Sequence, residues 1–558
     1  MDEKLKLDEL NAEIDDEIKT EDKHEIHKIN ADVIREAAGH LKNSKTDPVI
    51  KSTSDCLSNA PSVLFEHLAL VFRSWLFHGH ITEMMSLSTL VPIIKDKLGN
   101  MCSSDNYRSI AISSLILKIF DWVIIILYGD KLQFDDLQFG YQENCSTNMC
   151  TWMAVETIDY FTRNGSDVFV CVMDMKKAFD TVKHSILFQK LIKRGIPKTF
   201  VRLLLVMYSK QFANVRWNSS VSQKFPITNG VKQGAVLSAI LFCVYIDGLF
   251  SLLRRNRSGC WVDGQFHGML GYADDIMLIS PTIDGLQNMI DCCADFMKSH
   301  NLTFSTHPDP RKCKTKCMAF TKSQKVMMPL CMNGDELPWV TSAKHLGTSL
   351  ETNLSGMTKD LMEKRAMFIN RNNELVQEFR FAHPQTLIKV NSIYNTSFYG
   401  CVLWDLFSKE AERLEKTWNV SQRLMLGLSR ESHRYFIEPI SETRHIIFHI
   451  YKRFVKFLSQ MTSSRKGILR SLCNVVMNDC QSTTGRNLRR LQLLFNSGSF
   501  TELQRDVKTN RAYQEADVND LWKIEAVKDL TRAMYDNTIL PNFTRDEISD
   551  IRDHIATY

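Results

Sequence analysis

The sequence predicts an α+β fold: a small antiparallel sheet set among helices, followed by an almost wholly helical run after about residue 350. Three observations carry that prediction. Val168–Met173 is a short, β-rich apolar run that stops abruptly at Asp174, as a buried strand does. Residues 269–279 read as a second apolar strand pair interrupted at its middle by acids. Beyond residue 350 the apolar positions keep a helical period.

Taken in order, residues 1–50 read as a charged, helix-prone leader of weak apolar periodicity, expected to be loosely held. They carry 14 Asp/Glu against 8 Lys/Arg, net −6, which leaves +11 on the rest of a chain whose net charge is +5. A basic body permits a nucleic-acid partner without requiring one. Residues 61–77 place Val63, Leu64, Leu68, Val71, Phe72 and Trp75 at helical spacing. A proline-marked extended segment, 90–94, ends at Lys95, and 113–127 again reads as a helix. After the strand, 178–191 and 198–208 read as helices parted by Gly195-Ile196-Pro197. Residues 214–227 alternate like a hairpin, and 233–253 form a helix opened by a glycine-containing loop. Thr462-Ser463-Ser464-Arg465-Lys466-Gly467 is the best linker candidate.

With 558 residues and 44% hydrophobic content, the chain has ample core for two to four lobes. Collagen-like, low-complexity and wholly disordered classes are excluded. The longest aliphatic run, Trp122 to Tyr128, falls well short of the roughly 20 apolar residues of a membrane span, so no membrane partner is expected. Fifteen scattered Cys, an odd number, point to reduced thiols and an intracellular setting. No second ligand pair is spaced to complete a zinc site with Cys313 and Cys317.

Asp174 ends one strand, and Asp274 and Asp275 sit in Gly271-Tyr272-Ala273-Asp274-Asp275 between apolar flanks. Acids in such settings are costly to bury unless neutralised. Carboxylates brought together repel one another, and a divalent cation relieves them. Oxygen-only donors favour Mg²⁺ or Mn²⁺ over zinc. Two such ions, about 3.5–4 Å apart, can clamp the attacking and leaving oxygens of a phosphoryl transfer. Alone, the Asp doublet reads more readily as a polar hairpin turn.

In company, these residues resemble the palm of reverse transcriptases. Asp174-Met175-Lys176-Lys177-Ala178-Phe179-Asp180 follows a strand, Asn229-Gly230-Val231-Lys232-Gln233-Gly234-Ala235-Val236-Leu237-Ser238 matches the family's loop-and-helix motif, and Tyr272-Ala273-Asp274-Asp275 closes the set. Upstream, Asp105-Asn106-Tyr107-Arg108-Ser109-Ile110 looks like the fingers motif and Leu137-Gln138-Phe139-Gly140-Tyr141 the segment after it. Downstream, Lys312-Cys313-Lys314-Thr315-Lys316-Cys317 and Lys344-His345-Leu346-Gly347 occupy the places of the last palm motifs. The chain is most similar to polymerases of retrotransposons without long terminal repeats, especially jockey-like ones. The likeness is strong over about 70–350 and weaker beyond, through Trp418, Arg423 and Thr484-Gly485-Arg486-Asn487-Leu488. Ala239 and Ser109 stand where the family usually has proline.

The resemblance implies a right-hand polymerase: a leader at 1–70, fingers and palm at 71–350, a helical thumb at 351–465 and a helical C-terminal region at 466–558. It implies RNA-directed DNA synthesis from a DNA primer, an RNA template and dNTPs, using two Mg²⁺ ions, with Mn²⁺ as the alternative. Asp174, Asp274 and Asp275 are the expected metal ligands, Asp275 being the more electrostatic, and Asp180 a structural residue. Phe179 would lie beneath the incoming sugar and exclude a 2′-hydroxyl; the same ring argues against an RNA-dependent RNA polymerase. Gln233 and Gly234 would approach the nucleotide or template, Arg108 would meet the triphosphate, and Lys95 is a second fingers cation. Lys314 and Lys316 are alternatives for protonating the pyrophosphate, since strand alternation aims both to one face. Interleaved Trp404, Arg413, Lys416, Trp418, Arg423, Arg430, His433, Arg434, Lys452 and Arg453 would follow the template–primer backbone. No N-terminal nuclease is expected in the 70 or so residues before the fingers, and chromosomal copying implies the nucleus. The competing expectation is a catalytically inactive, nucleic-acid-binding relic.

Overall fold

A computed structural model describes residues 3–18, 24–97, 99–309, 311–322, 327–353, 357–430 and 445–509, together with 432, 437, 441 and 443. His433, Arg434 and residues 510–558 lie outside the described residues.

Fifteen strands are described. The first sheet contains β1 (Leu87–Ile94), β2 (Tyr107–Ile112), β4 (Gln211–Trp217), β5 (Ser220–Val221) and β6 (Phe225–Ile227). Its order is β2-β1-β4-β5, with β6 also on β4, and β1 runs parallel to β4. The second sheet contains β3 (Val168–Met173), β9 (Met269–Tyr272), β10 (Asp275–Ser280) and β11 (Lys316–Phe320), in the order β11-β3-β10-β9. Each neighbouring pair in it is antiparallel. Small hairpins complete the set: β7 (Trp261–Val262) with β8 (Gln265–Phe266), β12 (Leu330–Met332) with β13 (Asp335–Leu337), and β14 (Ser342–His345) with β15 (Thr348–Glu351). The second sheet packs against helices Thr147–Arg163 and Ile283–Ser299. Burial along β3 and β10 is near continuous, as expected of strands covered on both faces.

Several expectations need correction. The leader is docked rather than loose. Leu10 and Ile14 of helix Glu3–Ile18 and Ile34, Ala37 and Ala38 of helix Ala31–Gly39 are buried in the core. Buried Asp47 accepts hydrogen bonds from Ser114 Oγ (2.8 Å), Leu115 N (2.6 Å), Val49 N (2.7 Å) and Ile50 N (2.9 Å), so it caps helix Leu115–Tyr128 from far away in sequence. Helix Ser62–His78 buries Phe65, Leu68, Ala69, Phe72, Trp75 and Leu76, leaving Val63 and Val71 exposed. A helix this apolar all round does not reveal its inner face by pattern.

The helix expected over 178–191 is split into a 3₁₀ turn, Ala178–Asp180, and a helix, His184–Lys193. The carbonyls of Phe179 and Val182 instead accept Val231 N (2.7 Å) and Gly230 N (3.1 Å). Beyond that loop the chain forms two helices, Val236–Ile246 and Gly248–Asn256. Together they are long and apolar enough to cross a membrane, which the run-length reading missed, but 67% of the apolar window is buried inside the fold. Such a stretch reads as a core helix.

The proposed linker at 462–467 is a tight turn with a buried Lys466. It leads into helix Gly467–Asn478, which packs on helices Ile446–Thr462 and Thr147–Arg163. All fifteen Cys are free thiols.

Candidate active site

The register of the second sheet brings the acids together. Ile276 of β10 faces Met173 of β3, so the next pair along is Asp275 and Asp174. Ala273, with φ +56°, turns the β9–β10 hairpin and puts Asp274 beside them. The main chain of Asp174 is tied to the neighbouring segment by Ser305 N, which donates to its carbonyl at 2.7 Å. All three acids are half-buried.

Desolvation raises Asp274 above the usual carboxylate range, and the charge of Asp174 adds to it. Burial, then Asp274 and then Asp174, push Asp275 up to about 6. Arg108 opposes both shifts, which puts its guanidinium within electrostatic reach of the pair. Arg108 itself is exposed on β2.

The hairpin is gripped from behind by 137–140. Phe139 N donates to Gly271 O (2.7 Å) and Gly271 N to Leu137 O (2.9 Å), so this segment extends the sheet beyond β9. Buried Gln138 uses Oε1 to accept Ala273 N (2.8 Å) and Gly140 N (2.9 Å), while its Nε2 donates to Ala273 O (3.4 Å). A Cβ on Gly140 would meet Ala273 N at 2.4 Å, so only glycine fits there. Nothing in the sequence assigns Gln138 a task; the local signal is a glycine between two aromatics, Phe139-Gly140-Tyr141. Desolvation of its hydroxyl and then the charge of Asp274 raise the phenol of Tyr141, which puts it within electrostatic reach of the site.

The loop 229–235 is stitched to both neighbours. Ala111 N of β2 donates to Gln233 O (2.7 Å), and Gln233 Nε2 reaches Asp180 Oδ1 at 3.4 Å. Asp180, at the end of the 3₁₀ turn Ala178–Asp180, is therefore tethered to this loop. Gly230 has φ +85°, and a Cβ there would stand 2.7 Å from Phe179 O. The Phe179 ring, half-buried, stacks on Phe242 of helix Val236–Ile246 with centroids 4.9 Å apart. Beneath the loop, burial lifts Asp121 to about 6 and lowers Lys232 to about 8, each drawn back by the other's charge. Ala239 is buried within that helix, and Ser109 lies in β2 opposite Pro92.

The lysines separate. Lys314 lies before β11 begins, and its Nζ is 3.5 Å from Asp174 Oδ2. Lys316 is in the strand opposite Val172, two pairs further from the acids. Exposed Lys95 donates to Asp105 O at 2.9 Å and acts on Asp180 rather than on the acid cluster.

Some expected nucleic-acid contacts are structural instead. Trp404 and Trp418 are buried, and Trp404 Nε1 donates to Asp360 Oδ2 (2.9 Å). Arg423 donates to Ser432 O (2.9 Å), and Arg453 to Thr396 O and Ser397 O (2.6 and 2.7 Å). Arg413, Lys416, Arg430 and Lys452 remain exposed. In the segment 484–488, Asn487 accepts Leu406 N (3.1 Å) and donates to Trp404 O (2.8 Å), a packing role.

The donor set of the acid cluster, three carboxylates without His or Cys, suits a hard divalent cation. Their mutual repulsion is what such a cation would relieve. Among the described residues no group of three or more His, Cys, Asp or Glu side chains stands gathered closely enough to hold a metal ion.

Residues 94–350 match the family described as reverse transcriptase (RNA-dependent DNA polymerase). The chain is 26% identical over 194 residues to the Retrovirus-related Pol polyprotein from type-2 retrotransposable element R2DM of Drosophila melanogaster, covering 34% of this chain and 18% of that one. It is 23% identical over 410 residues to the Probable RNA-directed DNA polymerase from transposon BS of the same fly, covering 69% and 43%. The chain thus spans less than half the length of these relatives. A telomerase structure from Candida tropicalis aligns over 81% of this chain and 68% of that one, at 11% identity and a TM-score of 0.37. Residues 94–350 thus match the reverse transcriptase family, and the relatives the chain resembles are named for retrotransposon polymerases.

Proposed function

We propose that the chain extends the 3′-hydroxyl of a DNA primer with deoxynucleotides on an RNA template. The observation that carries the reading is the convergence of Asp174, Asp274 and Asp275 at the ends of the two central strands β3 and β10, within electrostatic reach of Arg108. Divalent cations, when held by these carboxylates, would supply the charge neutralisation that phosphoryl transfer needs. The protein's own share is positioning and electrostatics. Arg108 forks onto phosphate oxygens of the incoming nucleotide. Phe179, braced by Phe242, forms the floor under the sugar and excludes a 2′-hydroxyl. The backbone of Gln233 and Gly234, fixed to β2, lines the nucleotide's other side. Lys314 is the better placed of the two lysines to hand a proton to the departing pyrophosphate, because its ammonium already stands beside Asp174. The exposed cations Arg413, Lys416 and Lys452 would track the template–primer backbone. Copying at a chromosomal target would place this work in the nucleus.

Primer extension on an RNA template with dNTPs and Mg²⁺ tests the reading, run beside Asp274→Asn. Extension by the native chain and none by the variant is expected. Nucleic-acid binding without extension by the native chain would favour the relic.

A further inference from the structure

Lys466 is only 5% exposed, and among the described residues no carboxylate forms an ion pair with it. Burying a cation without such a partner is costly. Its Nζ donates to Asp136 O (2.8 Å) and Gln138 O (3.1 Å) and lies 5.1 Å from the centre of the Phe139 ring. All of these partners belong to one short segment, more than three hundred residues earlier in the chain. That segment is the one whose main chain and Gln138 side chain hold the Ala273 turn.

A single ammonium bonded to two carbonyls pins both at once, and an apolar side chain of the same length would leave both acceptors unsatisfied. Lys466 in turn is fixed at the head of helix Gly467–Asn478, which packs on helix Thr147–Arg163 beneath the sheet. A line of contacts therefore runs from the C-terminal helices through Lys466 and Gln138 to the backbone that carries Asp274 and Asp275.

We propose that Lys466 is a positioning residue of the active site, acting through Gln138 to hold the acidic hairpin in register; this rests on the reading of that hairpin as catalytic. Lys466→Met keeps the length of the side chain and removes its charge and donors. In the full chain, amide exchange at Phe139, Gly140 and Ala273 is expected to quicken by about tenfold or more in this variant, with other core amides unchanged. On poly(rA) primed with oligo(dT), kcat should fall by about tenfold or more, while KM for dTTP stays within about twofold. Gln138→Leu, which leaves Lys466 in place, should give the same pattern, and the double variant should be no slower than Gln138→Leu alone. Losses that multiply in the double variant would overturn the proposal. If the native chain does not extend a primer, the polymerase reading fails while the exchange arm still decides: unchanged protection of Ala273 in folded Lys466→Met overturns the positioning role. Should Lys466→Met not fold, unchanged protection of Ala273 in Gln138→Leu overturns it equally.

Discussion

Replacing Glu156 by Gln should stabilise the chain at pH 8 and leave it nearly unchanged at pH 5. Glu156 is buried in helix Thr147–Arg163, where Thr484 donates to its Oε1 and Trp152 Nε1 donates to Thr484 at 3.0 Å. Its Oε2 is buried without a hydrogen-bond partner. Burial is the largest cause that pushes its pKa from 4.5 up to about 7; the Thr484 hydrogen bond works against it. The folded chain thus keeps a proton that the unfolded chain releases as pH rises past its ordinary value. Stability falls between these two values and levels off above the higher one. From pH 5 to pH 7 the loss is at most about 3 kcal/mol, at roughly 1.4 kcal/mol per pH unit. Glutamine retains the acceptor for Thr484 and carries no charge to desolvate. Melting temperatures of the two chains, measured from pH 5 to pH 8, should diverge by several degrees as pH rises. A gap between variant and native chain that is the same at pH 5 and pH 8 would refute the reasoning.

Other substitutions probe the site and its supports. Phe179→Ala opens the floor beneath the sugar and should reduce the preference for dNTPs over rNTPs, read as a ratio of kcat/KM, by about 10- to 200-fold. Gly140→Ala sets a methyl against Ala273 N and should cost about 1–3 kcal/mol of stability while stopping extension; a variant that folds and extends normally would show that the close approach is not needed. Asp47→Ala strips the cap of helix Leu115–Tyr128 and should lower stability by about 2–3 kcal/mol, with earlier proteolytic cleavage in the leader.

Much of this was legible in the sequence because the relevant signals are local. The run 168–173 names its own strand, and the acid that ends it lies at the end of a central strand. The apolar flanks of Asp274-Asp275 announce the hairpin, and the glycines of 230–234 announce the loop. What the sequence concealed depends on partners distant along the chain. The leader's few apolar residues make a weak pattern, yet Leu10, Ile14 and Ile34 are buried, and Asp47 is held by a helix start nearly seventy residues on. Lys466 stands in a Ser/Arg/Gly stretch that reads as linker, and its acceptors are backbone carbonyls that no side-chain pattern reveals. Interleaved Trp and Arg after residue 400 read as a binding face, whereas Trp404 and Trp418 fill the core and Arg453 closes a turn. Lys314 and Lys316 share a parity; what parts them is the point where β11 begins.

The central claim is that Asp174 and Asp274 act as one catalytic unit, and single-nucleotide incorporation by Asp174→Asn, Asp274→Asn and the double variant tests it most directly. Each single change should remove nearly all incorporation while primer–template binding persists, and the double variant should be no worse than either, as for residues that work together. Retained incorporation in either single variant, or losses that multiply in the double, would contradict the account.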